Sequence, residues 1–342
     1  MTAGPFPSTR VTGAFERRVA RALEMAAPGC ERVVVAVSGG PDSTAALVAV
    51  SRALGAEGVT ATHFDHRLRS TEEAEQERAL VAALAERLGC AFTSGRSGRA
   101  PRDRSEGAAR EARYRWLAKV ASASGASVCV TGHTQDDQAE TVLLRLARGS
   151  GARGVAGMST VAPWPVPVRQ SRGLTLVRPL LGVSRREVEA YVAALGIPTA
   201  TDPTNASLDY ARNRIRTRVL PELRAVNAKA VEHLAQFAER QRDDDEALRA
   251  VALAWFEAHA VVAPGQVTID RRALRAAAPA VAQRAVREAA ERLGIALEGA
   301  HLQSILRSAS RSGARVDLPL ARSETDGRIL RLRLRPSPTG TD

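Results

Sequence analysis

The N-terminal half of the chain alternates short apolar runs with longer segments whose apolar residues recur at helical spacing. Val33-Val34-Val35-Ala36-Val37 contains no polar position, which predicts a β-strand covered on both faces. Pro41 and Asp42 then open a helical stretch from Ser43 to Leu54 that ends at Gly55. A second strand is predicted over Val59–Phe64, a helix over Thr71–Leu88 stopped by Gly89, and a short strand over Cys90–Thr93. Glu106–Ala123 reads as a helix, Ser127–Thr131 as a strand and His133–Ala147 as another helix. This alternation predicts an α/β fold, a parallel sheet with flanking helices. The loop after the first strand then lies at the carboxyl edge of the sheet, where such folds bind ligands.

Beyond residue 147 the pattern changes. Arg148–Gln170 is rich in Gly, Pro and Arg and is expected to be a mobile loop. Ser184-Arg185-Arg186-Glu187 is a capping box that starts a helix ending at Gly196. A polar segment, Thr201–Ala211, leads into a basic helix, Arg212–Arg218, expected to break near Pro221. Glu222–His259 reads as one long connecting helix. From Val267 onward the pattern gives a short strand, two helices and a hairpin turning at Asp326-Gly327. The expected domains are 1–221 (catalytic), 222–262 (helical linker) and 263–342 (a small α+β unit).

Composition sharpens this only in part. A chain of 342 residues, 44% hydrophobic, suits two domains with substantial cores. No apolar run approaches a membrane span, and the N-terminus does not read as a secretory signal. Cys30, Cys90 and Cys129 are far apart and form no Cys-x-x-Cys pair, which argues against structural zinc or a cysteine-held cluster. The expectation is a cytoplasmic protein without a membrane partner. A net charge of +12 points to an anionic partner such as nucleic acid. Only Lys119 and Lys229 are lysines, so the excess is arginine, and base composition is a competing explanation.

Chemistry concentrates first at Ser38-Gly39-Gly40-Pro41-Asp42-Ser43, between strand and helix. Glycines let backbone approach a phosphate closely, and the helix start points unpaired N–H groups at the anion. Ser38 and Ser43 add hydroxyl donors. Asp42 would be repelled by bare phosphate, so its natural role is to hold a magnesium ion bridging the phosphates. Gly-Lys-Ser/Thr is absent, so this is not a Walker-type loop.

At these residues the sequence resembles the PP-loop ATP pyrophosphatase family, which cleaves ATP to AMP and pyrophosphate while adenylating a carbonyl oxygen. Three further segments narrow the resemblance: His63-Phe64-Asp65-His66-Arg67-Leu68-Arg69, Gly132 to Thr141, and Asp202-Pro203-Thr204-Asn205 followed by Arg212-Asn213 and Arg216. In this order, and with Glu106 to Tyr114, they look like the tRNA(Ile)-lysidine synthase family, over about Arg32 to Leu220. The C-terminal part matches the shorter form of that enzyme by length and placement alone. The resemblance implies a Rossmann-like catalytic domain of the PP-loop ATPase type, a helical linker and a small C-terminal tRNA-binding domain. It implies ligation of free lysine to C2 of the wobble cytidine of isoleucine tRNA with a CAU anticodon, using ATP and magnesium.

His133, Asp136 or Asp137, and Glu140 fall at three- and four-residue spacings and share a helix face. Carboxylates there suit either magnesium or an ammonium group; the resemblance implies that Asp137 and Glu140 hold the lysine, with Asn205, Arg212, Asn213 and Arg216 also at the substrate. His133 is a candidate catalytic group, with metal ligation or proton acceptance open. Asp65 and His66 are placed by the resemblance near the nucleotide. Arg110, Arg113, Arg212 and Arg216, paired at helical spacing, are candidate phosphate clamps. Arg145, Arg148, Arg153 and the arginines between 96 and 104 read as tRNA backbone contacts or plain surface. Aromatic residues make up 4% and are not interleaved with basic runs, which fits phosphate reading of folded tRNA better than stacking on single strands. A tRNA thiolase, a small-molecule amide ligase and a tRNA-binding protein with a vestigial ATP site are the alternatives, and a homodimer is left open.

Overall fold

The computed structural model describes residues 6–67, 70–98, 106–200, 208 and 210–335. They form two compact units, 1–241 and 242–342, whose boundary lies inside a long helix. That boundary falls within the stretch 222–262, expected from the sequence to be a linker.

The first unit opens with a helix absent from the sequence reading, α1 (Arg10–Ala26), capped by Thr9. Then follow β1 (Val33–Ala36), α2 (Pro41–Leu54), β2 (Val59–Asp65), α3 (Thr71–Leu88), β3 (Ala91–Arg96), α4 (Glu106–Ser124), β4 (Val128–Thr131) and α5 (Gln135–Ala147). After these come α6 (Ala152–Val155), β5 (Val161–Pro163), β6 (Thr175–Val177) and α7 (Arg185–Leu195). The strands order as β3-β2-β1-β4-β6-β5, parallel except for β5. Val33 and Val35 pack with α2, α3 and α7 on one face, whereas Val34 packs with Tyr114 and Leu117 of α4 on the other. Both faces of β1 are thus covered, as its unbroken apolar run requires. The order in which successive strands are laid down reverses between the parallel neighbours β1 and β4, which opens a crevice at their carboxyl ends.

The segment expected to be a mobile loop is structured. Gln138 holds the backbone of Met158 from both sides, donating to its carbonyl at 2.8 Å and accepting from its N–H at 2.7 Å. Arg145 donates to the carbonyls of Gly154 (2.7 Å) and Gly157 (3.0 Å). Side chains on α5 thus supply the acceptors and donors that a Gly- and Pro-rich stretch cannot supply itself. Arg145 is a brace for this segment, not a plain surface residue.

The basic helix also differs from expectation. It does not break at Pro221: α8 (Ala211–Arg214) runs through a wide π-turn, Ile215–Val219, into α9 (Leu220–Val226). The wide turn relieves the clash that the proline ring makes with the carbonyl four residues earlier. The predicted long helix is instead interrupted at Asn227, whose side chain accepts from the Lys229 N–H, before α10 (Ala230–His259) begins.

The second unit contains the hairpin β7 (Ala260–Ala263) and β8 (Gln266–Asp270), helices α11 (Arg271–Ala276), α12 (Pro279–Arg292) and α13 (Gly299–Ser308), and strands β9 (Arg315–Asp317), β10 (Ala321–Thr325) and β11 (Ile329–Leu334). Its sheet is antiparallel, ordered β7-β8-β11-β10-β9, over a core that includes Val267, Ile269, Ile305 and Leu332. The expected hairpin at Asp326-Gly327 joins β10 to β11; Asp326 accepts from the N–H groups of Arg328 and Ile329.

Candidate active site

The Ser38–Ser43 loop leaves β1 and enters α2 without a side-chain cap, so the first-turn N–H groups stay open to a ligand. Gly39 has φ +87, a backbone conformation that favours glycine. Ser43 Oγ accepts from the Ser38 N–H (3.1 Å) and donates to the Gly40 carbonyl (3.0 Å), which fixes the loop as a tight ring. Gly132, at the end of β4, lies so close that a Cβ there would meet the Asp42 carbonyl oxygen at 2.6 Å. Asp42 Oδ2 accepts from Arg185 at 3.0 Å, while Oδ1 is buried with no partner among the described residues. Burial, only partly offset by Arg185, pushes the Asp42 carboxyl up to about 6. An orphaned carboxylate oxygen beside an open phosphate cradle suits a hard cation. Among the described residues no cluster of three acidic, His or Cys side chains could hold a metal by itself.

At the head of α5, Thr134 and Asp137 form a capping box, with Asp137 Oδ2 accepting from the Thr134 N–H (2.8 Å) and hydroxyl (2.9 Å). The other Asp137 oxygen faces Arg212 (3.1 Å) and Arg216 (3.4 Å). Glu140, with no exposed surface, accepts from Arg212 Nε at 2.7 Å and from Arg216 Nε at 2.5 Å. Arg212 and Arg216 sit on successive turns of the α8–π segment and bracket the carboxylates. Asp136 pairs with Arg224 and accepts from the Arg185 N–H at 2.9 Å, tying α5 to α7. Burial works against charge on Asp137, but Arg212 and His133 hold it below the usual carboxylate range. Burial likewise opposes the Arg212 charge, yet Asp137 and Glu140 hold that guanidinium above its ordinary value. A charged cavity of about 710 Å³, lined in part by Asp136, Glu140, Arg185, Arg216 and Arg224, opens beside this lattice.

A second group of arginines differs in kind. The guanidinium carbons of Arg110 and Arg113 lie 5.0 and 5.4 Å from the ring centre of buried Tyr114. Neither arginine has a carboxylate partner among the described residues. His133 Nδ1 lies 2.9 Å from Thr131 Oγ1. Burial, with Arg178, Arg113 and Arg110 nearby, holds the His133 imidazole down to about 3 despite Asp137. At the end of β2, Asp65 pairs with Arg96 at 2.9 Å and accepts from the Arg67 N–H at 2.6 Å, fixing Arg67 at φ +59. His66 is edge-on to Phe64 at 5.1 Å, and burial lowers it to about 4.

The crevice therefore brings together the loop, His133, Asp137, Glu140, Arg212 and Arg216; Asn213 is half-buried on α8, where its carbonyl accepts from Thr217. Arg212 and Arg216, read as phosphate clamps, are engaged by carboxylates. Asn205, with Asp202 to Thr204, and the arginines at 99, 102 and 104 lie outside the described residues. Arg178, Arg185 and Arg224 escaped the sequence reading. Ser184-Arg185 was visible as a capping box, but no local signal marks a partner 143 residues away. Cys129 is fully buried, and burial pushes its thiol up to about 12, so it offers no thiolate to a thiolase chemistry.

A family model described as a PP-loop domain matches residues 11–223. A tRNA(Ile)-lysidine synthase of Thermobifida fusca is 39% identical over 347 residues, covering 96% of this chain and 98% of the relative. One from Methylobacterium nodulans is 43% identical over 282 residues, covering 80% and 78%. One from Symbiobacterium thermophilum is 39% identical over 302 residues; the match covers 84% of this chain but 61% of that longer relative. The solved U34-tRNA thiolase NcsA from Methanococcus maripaludis shares the fold, with a TM-score of 0.54 at 14% identity over 67% of this chain and 80% of that one.

Proposed function

The chain belongs to the tRNA(Ile)-lysidine synthase family, and on that premise we propose that it ligates lysine to C2 of the wobble cytidine of isoleucine tRNA with a CAU anticodon. The reaction consumes ATP, releases AMP and pyrophosphate, and passes through an adenylated cytidine. One observation carries the reading: the uncapped start of α2 and the buried Asp137–Glu140 pair face one crevice at the carboxyl ends of β1 and β4.

The loop N–H groups and the Ser38 hydroxyl hold the polyphosphate, while Ser43, whose hydroxyl proton goes to the Gly40 carbonyl, keeps the loop in shape. Asp42, through its unpartnered oxygen, would hold magnesium against those phosphates, and the ion would neutralise charge building on pyrophosphate. The flipped cytosine attacks the α-phosphate through its C2 oxygen as the bond to pyrophosphate breaks. The lysine ammonium then gives up a proton to a nearby carboxylate or to water, and its amine forms the C2–N bond as the C2–O bond to AMP breaks. Asp137 and Glu140 steer the lysine ammonium. Their oxygens are engaged by Arg212 and Arg216 in the free enzyme, so lysine binding requires those arginines to turn toward phosphate. ATP and tRNA thus prepare the lysine site by drawing away its internal cations. His133, neutral and weakly basic, orients groups by hydrogen bonding and does not store the proton.

The test is formation of AMP and pyrophosphate from ATP, with tRNA and lysine omitted in turn. Formation that depends on the CAU transcript supports the reading; equal turnover without any tRNA would sink it. The lysine Michaelis constants of Asp137→Asn and Glu140→Gln then test the ammonium assignment, which fails if both are unchanged.

A further inference from the structure

Arginines near the crevice fall into two electrostatic classes. Arg185, Arg212, Arg216 and Arg224 each pair with a carboxylate of Asp42, Asp136, Asp137 or Glu140. Arg110, Arg113 and Arg178 have none among the described residues. Arg178 follows β6 directly, so it stands at the same carboxyl sheet edge as the loop after β1. It is only 6% exposed, donates from Nη1 to the Ser159 carbonyl at 2.7 Å, and keeps a buried Nε without an acceptor.

Other donors around it are equally unsatisfied. Arg113 Nε and Trp164 Nε1 are buried without partners, the Tyr114 hydroxyl lies against the guanidinium groups of Arg113 and Arg178, and the Trp164 ring meets Tyr114 edge-on at 5.2 Å. Arginine and tryptophan can only donate, and the tyrosine hydroxyl can. A nearly buried guanidinium without a counter-ion is costly, so Arg178, with the half-buried Arg110 and Arg113 beside it, fits an anion that the free protein lacks. The arginines that act most on Asp42 are Arg185 and Arg216, whereas Arg178, Arg113 and Arg110 act on His133. Tyr114 packs on the Val34 face of β1, opposite the face that α2 covers. The cluster thus adjoins His133 rather than pairing with the Asp42 carboxylate, which Arg185 holds.

Resting on the proposed function, we infer that Arg178, with Arg110, Arg113 and Tyr114, forms a second oxyanion subsite that grips an RNA phosphodiester beside the reacting cytidine. Its ligand chemistry, a phosphate oxyanion, is shared by the tRNA backbone and by ATP, and the two sources can be separated.

The experiment uses the full chain, a tRNA(Ile) transcript with a CAU anticodon, and Arg178→Gln, Arg178→Lys and Tyr114→Phe. The expected result for Arg178→Gln is tRNA binding weakened about 5- to 20-fold, with the slope of log affinity on log salt reduced by about 1. ATP affinity and the lysine Michaelis constant stay within about two-fold. Arg178→Lys recovers part of the affinity, since it keeps charge but loses the planar fork. Tyr114→Phe, which keeps the packing, weakens tRNA binding about 2- to 5-fold and guards against misfolding of the arginine variants. Loss of ATP affinity with tRNA binding intact would overturn the inference and assign the cluster to polyphosphate. A rise confined to the lysine Michaelis constant would overturn it in favour of a carboxylate. Unchanged tRNA binding in both Arg178→Gln and Tyr114→Phe would reduce Arg178 to a brace for Ser159. Failure of the wild-type chain to bind this tRNA would instead strike at the proposed function.

Discussion

Arg185 Nη2 donates to Asp42 Oδ2 at 3.0 Å, joining the first turn of α7 to the first turn of α2 across 143 residues of chain. The contact places a cation beside the one acidic residue of the phosphate loop. It leaves the other Asp42 oxygen buried and open.

That arrangement makes ATP use pH-dependent on the acid side. Asp42 titrates at about 6 against an ordinary 3.8, so between those values the folded chain holds a proton that the unfolded chain has released. The associated stability is present below the unfolded value and is lost as pH rises through about 6. With Asp42 holding magnesium as proposed, only its ionised form would serve, so kcat/KM for ATP should rise through about pH 6. Arg185→Gln removes the compensating cation and should move that limb upward. A pH–rate profile flat from pH 5 to 8 in the wild type would contradict this.

Glu140 is buried under two arginines, and losing its charge leaves both with Asp137 alone. Breaking a buried pair typically costs 3–5 kcal/mol; with Arg212 and Arg216 each about a quarter exposed, about 2–3 kcal/mol is expected for Glu140→Gln. Urea unfolding measures it, and a change below about 0.5 kcal/mol would mean that the lattice is not structural.

Gly132→Ala sets a methyl 2.6 Å from the Asp42 carbonyl oxygen and 2.9 Å from the Ser43 Cα. Backbone must give way there, and overpacking of this kind costs about 1–3 kcal/mol. The displacement falls on the phosphate cradle, so ATP affinity should drop more than ten-fold while the fold survives. Calorimetric titration with ATP, alongside a thermal melt, separates the two effects.

His133 should remain neutral across the working range. Its folded value of about 3 lies below the ordinary 6.5, so the unfolded chain binds more protons between them, and stability falls as pH drops through that window. His66, lowered to about 4, adds to the same trend. Imidazole NMR shifts should show no His133 titration above pH 5 in the free enzyme, and His133→Asn should flatten the acid loss of melting temperature.

Much of the first unit was legible because its signals are local. The apolar run at Val33–Val37, the stops at Gly55, Gly89 and Gly196, and the capping box at Ser184 each name their own element, and all appear. What escaped depends on distant partners. The 148–170 segment carries loop composition, and its order comes from Gln138 and Arg145 on α5. Pro221 reads as a helix breaker unless a wide turn precedes it. At the site, Asp137 and Glu140 were visible as a helical pair, but their capture by Arg212 and Arg216 is a tertiary fact. Arg178 stands in no motif. Only its burial beside other partnerless donors distinguishes it from the chain's many surface arginines.

The decisive measurement is incorporation of labelled free lysine into an isoleucine-tRNA transcript with a CAU anticodon, with and without ATP, using wild type and Asp42→Ala. ATP-dependent label at the wobble base, lost in Asp42→Ala, is expected. Pyrophosphate release without lysine incorporation would contradict it, leaving a working phosphate loop that serves another acceptor or nucleophile.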